Sequence, residues 1–151
     1  MTDTASSPRA SVDRPGMRAR RLALMALFES EFGASTADGA LARIGTERGV
    51  PAAVAEHAER IVRGVLAERG ALDVELARLA PAIPVSELGK VERAILRSAL
   101  WEMLYSAATP VGETINDAVS LARIYAGDAA RRLVNGVLGS VSRSSGAGDN
   151  A

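Results

Sequence analysis

The chain of 151 residues contains no cysteine, which excludes disulfides, thiolate nucleophiles and Cys-ligated zinc. Aromatic residues are scarce, at 3% of the sequence. Leu, Ala, Val and Ile carry most of the apolar content, a bias that favours packed helices over a β-sandwich. No apolar run reaches the roughly 18 residues of a membrane span, and the N-terminus lacks the apolar core of a signal peptide. A cytoplasmic, all-α protein of one compact domain is therefore expected, its length being sufficient for a core that folds alone. Lysine is almost missing as well, Lys90 being the only one. Arginine suits bidentate contacts to phosphate, but a GC-rich coding sequence produces the same bias.

The formal net charge is zero, yet the charges are segregated along the chain. Residues 1–21 carry a net +3, residues 70–122 a net −3, and residues 123–143 a net +3. Two basic ends flank an acidic middle. If the ends meet in the fold they form a basic face able to attract phosphates; otherwise the charges are a scattered, solvated surface.

Residues 1–16 are polar and rich in Ser, Pro and Arg, and residues 144–151 read "SSGAGDNA". Both segments are expected to be disordered tails, the first of them basic, around a folded region of residues 17–143. Apolar residues at helical spacing predict about seven helices within it. The first runs from Met17 to Phe32 and the second from Ala37 to Thr46. A third begins with Pro51 as its first helical residue and ends near Arg69, before Gly70. A fourth covers Ala71 to Leu79. The fifth, from Val85 or Ser86 to Tyr105, has so broad an apolar stripe that it is expected to be the buried hub. The sixth is capped by Thr109, with Pro110 at its first position, and stops near Gly127. The last is capped by Asp128, with Leu133, Val134, Val137, Leu138 and Val141 inward. No segment shows the period of a strand.

The first helix opens with "MRARR", which conflicts with good helix design. Arg18, Arg20 and Arg21 sit where unpaired N–H groups and the helix dipole already make the potential positive, at a cost of roughly 0.3–1 kcal/mol for each cation. An external anion bound there would offset this cost. The last helix is expected to pack beside the first, bringing Arg131 and Arg132 to the same region, where an anionic backbone across both helix starts would reverse the sign of the penalty.

Little else points to chemistry. His57 is the only histidine and lies among Glu56, Glu59 and Arg60, which suits a surface or half-buried structural role better than a metal site. Glu113 and Asp117 fall one helical turn apart and read as a like-charged pair on a solvated face, softened by Arg123. No Gly-rich loop follows a strand, so nucleotide cofactors are not expected, and no catalytic group or metal site is assigned. Tyr125 precedes a turn followed by Asp128, Arg131 and Arg132. A ring beside cations and helix-start N–H groups is the composition of a single-strand nucleic-acid contact, although Tyr125 could equally close the helix end over the core. In "RLVNGVL", Gly136 suggests close approach of another helix and Asn135 an interior hydrogen bond to backbone.

Taken in order, "RARRLALMALFE" at 18–29, "LGKVERAILRSALWEM" at 88–103, "TPVGETINDAVSLARIYAGD" at 109–128 and "RLVNGVL" at 132–138 resemble the NusB family of transcription antitermination factors. The resemblance implies an all-helical fold of two packed helical subdomains and RNA binding rather than catalysis. Family members bind the boxA element of ribosomal RNA leaders and pair with NusE, a small-subunit ribosomal protein, in the RNA polymerase antitermination complex. Carried over by position, the resemblance assigns RNA contact to Arg18 and Arg20, with Arg21 as an added cation and Phe28 beside them. It assigns the second half of the surface to Tyr125, Asp128, Arg131 and Arg132. Departures from the family pattern are Ala129 in place of a second acid, Leu133 in place of Phe, and Ala80 in place of an aromatic or His. An alternative reading is a helical protein-interaction module with weak or no RNA binding.

Overall fold

The computed structural model describes residues 13–150. Six α-helices and one short 3-10 turn make up the regular structure among these residues. Helix α1 spans Pro15–Ser30, with Pro15 at its start, where a missing N–H costs nothing. It has no side-chain cap, no acid in its first turn and no base in its last. Tertiary packing therefore holds it: Ala19, Ala23 and Ala26 are fully buried, and Leu22, Leu24 and Leu27 nearly so. Each such leucine contributes about 1.5–3 kcal/mol.

Helix α2 spans Ala37–Arg48; the Thr36 hydroxyl accepts from the Gly39 N–H, and Gly49 ends it in the left-handed region at φ 63°. Helix α3 spans Ala52–Leu79 and joins two segments that the sequence separates at Gly70. Its backbone departs from helical angles at Glu68 alone (φ −110°, ψ 17°) and then continues, because Gly70 keeps helical angles and no left-handed residue stops the chain. Pro51 stands just outside this helix rather than at its first position. A 3-10 turn at Val85–Glu87 and an extended Leu88 precede helix α4, Lys90–Tyr105, which starts later than its apolar stripe suggests. Helix α5 spans Val111–Ala126, with Pro110 rather than Thr109 at the cap. Gly127, at φ 95°, makes the corner into helix α6, Asp128–Asn150.

Helices α1, α2 and α3 pack on one another, and α4, α5 and α6 do the same. The two groups meet where α4 lies against α1 and α3. The hub role is thus shared: α1 touches α2, α3, α4 and α5, while α4 touches α1, α3, α5 and α6. Gly64 allows a close approach at this seam, since a Cβ there would fall within 1.9–2.4 Å of Trp101 indole atoms. A partly buried ion pair reinforces it, with Arg97 Nε and Nη2 each donating to an Asp73 carboxylate oxygen at 2.8 Å. Glu31, at the end of α1, closes the group by pairing with Arg93 at 3.1 Å and Arg97 at 3.5 Å.

Several expectations are corrected. Helix α6 packs on α5, with α4 and α3 behind it, rather than beside α1. Asn135 and Gly136 are exposed, and a Cβ at Gly136 would meet nothing within 4 Å, so neither an interior hydrogen bond nor a close helix contact explains them. The helical backbone continues to Asn150, where the sequence places a tail from residue 144. The other expected tail lies outside the described residues as far as position 12, while Asp13 and Arg14 are held by ion pairs and Pro15 opens a helix.

Candidate nucleic-acid interface

The three cations that open α1 have different fates because two residues turn about 200° round a helix. Arg20 points inward with 5% of its side chain exposed. Its Nε donates to Glu102 Oε1 at 2.8 Å, its Nη1 to Asp117 Oδ2 at 2.7 Å, and its Nη2 to Glu102 Oε2 at 3.1 Å. Glu113 stands 3.3 Å from the same guanidinium, and Arg14 pairs with both Glu113 and Asp117. His57 Nε2 lies 3.0 Å from Glu102 Oε2, which brings α3 into the cluster. Burial disfavours the charges, but the hydrogen bonds and attraction outweigh it: the Arg20 pKa is raised and that of Glu102 is lowered. Gly16 makes room for this arrangement, since a Cβ there would sit 2.9 Å from Arg20 Nη1.

Arg20, expected from the resemblance to touch RNA, is accordingly part of a buried ion cluster with Glu102 and Asp117. Glu113 and Asp117 are not a solvated pair either: Asp117 is 5% exposed, and its cationic partners are Arg14 and Arg20 rather than Arg123. Much of the charge segregation along the chain is therefore internal, with cations from the first segment neutralising acids of the middle one.

Arg18 and Arg21 face the other side of α1. They line an open groove of about 410 Å³ with Arg48 from the last turn of α2, Asp13 and Met25. Arg21 pairs with Asp13 and also interacts with Tyr125; burial opposes its charge, and these two groups raise its pKa overall. No carboxylate of the described residues pairs with Arg18 or Arg48 in a salt bridge, so the groove is positive.

Met25 is shared with a second, mainly apolar groove of about 480 Å³, formed with Phe28, Phe32, Val91 and Tyr125. Phe28 and Phe32 meet edge to face at 5.1 Å, and Lys90 Nζ stands 5.7 Å from the Phe32 ring centre. Tyr125 is 43% exposed and Phe32 61%, so Tyr125 presents its ring rather than sealing the core. The structure thus brings Arg18, Arg21, Phe28 and Tyr125 to adjoining surfaces.

Arg131 and Arg132 stand apart at the α5–α6 corner, where both donate to Asp128, the first residue of α6. These hydrogen bonds hold the Asp128 carboxyl below its usual range. Asp128 therefore orients two guanidinium groups instead of capping the helix, and the Gly127 carbonyl accepts from the Arg131 N–H. Sequence reasoning missed Arg48, Met25, Phe32 and Lys90. The signal for two of them was present: Arg18, Arg21, Met25, Phe28 and Phe32 recur at helical spacing, while Arg20 shares its face with Leu24 and Leu27.

A sequence profile described as the NusB family matches residues 17–143. The chain belongs to the NusB family. Relatives include the transcription antitermination protein NusB of Herpetosiphon aurantiacus, 40% identical over 127 residues, covering 82% of this chain and 87% of the relative. That of Dehalococcoides mccartyi is 33% identical over 126 residues, covering 83% of this chain and 88% of the relative. Among solved structures, T. maritima NusB superposes with a TM-score of 0.79 at 27% identity, over 87% of this chain and 93% of that one. A structure of the antitermination factors NusB and NusE in complex with dsRNA also superposes at 0.79, with 23% identity over 87% of this chain and 98% of its counterpart, and establishes the shared fold. No helix among the described residues of this NusB-family chain is long and apolar enough to cross a membrane.

Proposed function

We infer that this chain is an RNA-binding transcription antitermination factor that acts on boxA-type RNA of ribosomal RNA operons together with the ribosomal protein NusE. Family membership over residues 17–143 carries this reading, and the paired basic and aromatic grooves on α1 supply the chemistry. Guanidinium groups attract phosphates without regard to sequence, and exposed rings stack on unpaired bases. Arg18, Arg21, Phe28 and Tyr125 form the main contact surface. Arg131 and Arg132, held by Asp128, add phosphate contacts at the α5–α6 corner.

Titration of the full chain with a boxA-like single-stranded RNA, with and without NusE, tests this. Binding that tightens with NusE and weakens steeply with salt is the expected result; no binding in either condition at moderate salt overturns it. Arg18→Ala removes one phosphate contact and flattens the salt dependence by about 0.7 in the log–log slope. The alternative, a protein-interaction module with little RNA affinity, is favoured by one observation: Leu104, Tyr105 and Val111, 40–48% exposed, flank the α4–α5 connection. Partner capture that survives RNase, combined with no RNA affinity in the partner complex, would select that reading.

A further inference from the structure

We propose that Arg48 of α2 and Phe32 extend the RNA-contact surface of α1, Arg48 holding a phosphate in the basic groove and Phe32 providing the ring face on which an unstacked base is seated. This rests on the RNA-binding role above and assigns its contacts beyond the positions at which the family motifs match.

Three observations converge on it. First, the basic groove is walled by two helices: Arg18 and Arg21 come from α1 and Arg48 from α2, with Asp13 as the one carboxylate lining it among the described residues. A cleft lined by charge of one sign concentrates counter-ions more strongly than the same charges on an open face. Second, the apolar groove begins where the basic one ends, at Met25, and Tyr125 contacts Arg21 across the boundary. Phosphate-binding and ring-binding surfaces are thus contiguous, in the alternation that a single strand presents. Along α1, Arg18 and Phe28 are ten residues apart, about 15 Å of helix. Third, Phe32 is 61% exposed at the mouth of the apolar groove, with Lys90 above its ring. A base entering there meets one ring face and one cation, a pairing that suits a nucleotide better than an aliphatic side chain. A duplex cannot use this seat, because its base faces are stacked away from side chains.

The test is a salt-dependent titration of the full chain with single-stranded boxA-like RNA and, in parallel, with a duplex of the same sequence. Arg48→Ala and Phe32→Ala change exposed side chains, so the fold is retained; Arg60→Ala, an exposed cation on α3 outside both grooves, controls for loss of charge alone. Arg48→Ala is expected to lower the salt slope by about 0.7. Phe32→Ala is expected to weaken single-strand binding about 5- to 150-fold with the slope unchanged, and Phe32→Trp to restore it. A fluorescent base analogue should lose its quenching in Phe32→Ala. If Arg48→Ala and Phe32→Ala behave like Arg60→Ala while Arg18→Ala weakens binding, the extended surface proposed here is wrong and the RNA-binding role stands. If the unmodified chain binds no RNA, both fall. Equal affinity for the duplex, with Phe32→Ala silent, removes the base seat.

Discussion

Replacing Arg20 with Ala separates a structural cation from an RNA-binding one. The substitution leaves Glu102 and Asp117, 3% and 5% exposed, without their shared guanidinium. Breaking a buried ion pair from one side costs about 3–5 kcal/mol. The lower end applies here, because His57 stays beside Glu102 and Arg14 beside Asp117. Against a total stability of roughly 5–15 kcal/mol for a domain of this kind, about 3 kcal/mol is a large fraction. With a urea m-value of about 2 kcal/mol/M, the unfolding midpoint should fall by about 1.5 M, followed by helical circular dichroism. Without Arg20, Glu102 loses the hydrogen bond and attraction from the guanidinium that help keep its carboxyl pKa low, so the stability gap from the unmodified chain should narrow as pH falls through the carboxylate range. Two results together would refute the reasoning: a midpoint within about 0.3 M of the parent, and a loss of RNA affinity with a reduced salt slope under folding conditions. They would mean that the guanidinium faces the RNA.

Three other outcomes are expected. Gly64→Ala drives a methyl group into the Trp101 ring, and overpacking of about 1–3 kcal/mol exceeds the helix-propensity gain of about 1 kcal/mol; Trp101, the single tryptophan, should report it by fluorescence, and a variant as stable as the parent would contradict the close packing. Gly136→Ala should instead raise stability by about 0.5–1 kcal/mol, since the added methyl group meets open space within a helix; a destabilised monomer in urea unfolding would show an unseen contact. Glu102 has a lowered carboxyl pKa in the folded state, so its contribution is complete above the unfolded value and is lost as pH falls through the folded one. Urea midpoints measured from neutral pH down to about pH 3 should decline, and the decline should be shallower in Glu102→Gln.

Helix content, most helix starts and the inward faces were legible because they are local. Pro51 and Pro110, each within one residue of a helix start, and apolar residues every three or four positions all act within a turn or two of chain. The ordered motifs likewise located the family. The fate of each cation was not legible, because residue type is the same for Arg18 and Arg20 while their surroundings are not. Arg20 meets Glu102 and Asp117 across 82 and 97 residues of sequence. Those partners are chosen only when α4 and α5 dock against α1.

The sequence by itself determined that this chain is helical, which faces of its helices are apolar and which family it joins, since these follow from short-range sterics and patterning. Only the tertiary structure decided that Arg20 is buried, that the acidic middle neutralises the basic start, and that Arg48 and Phe32 extend one surface along α1. Ion pairing and groove formation depend on distances between helices, and local pattern does not set those distances.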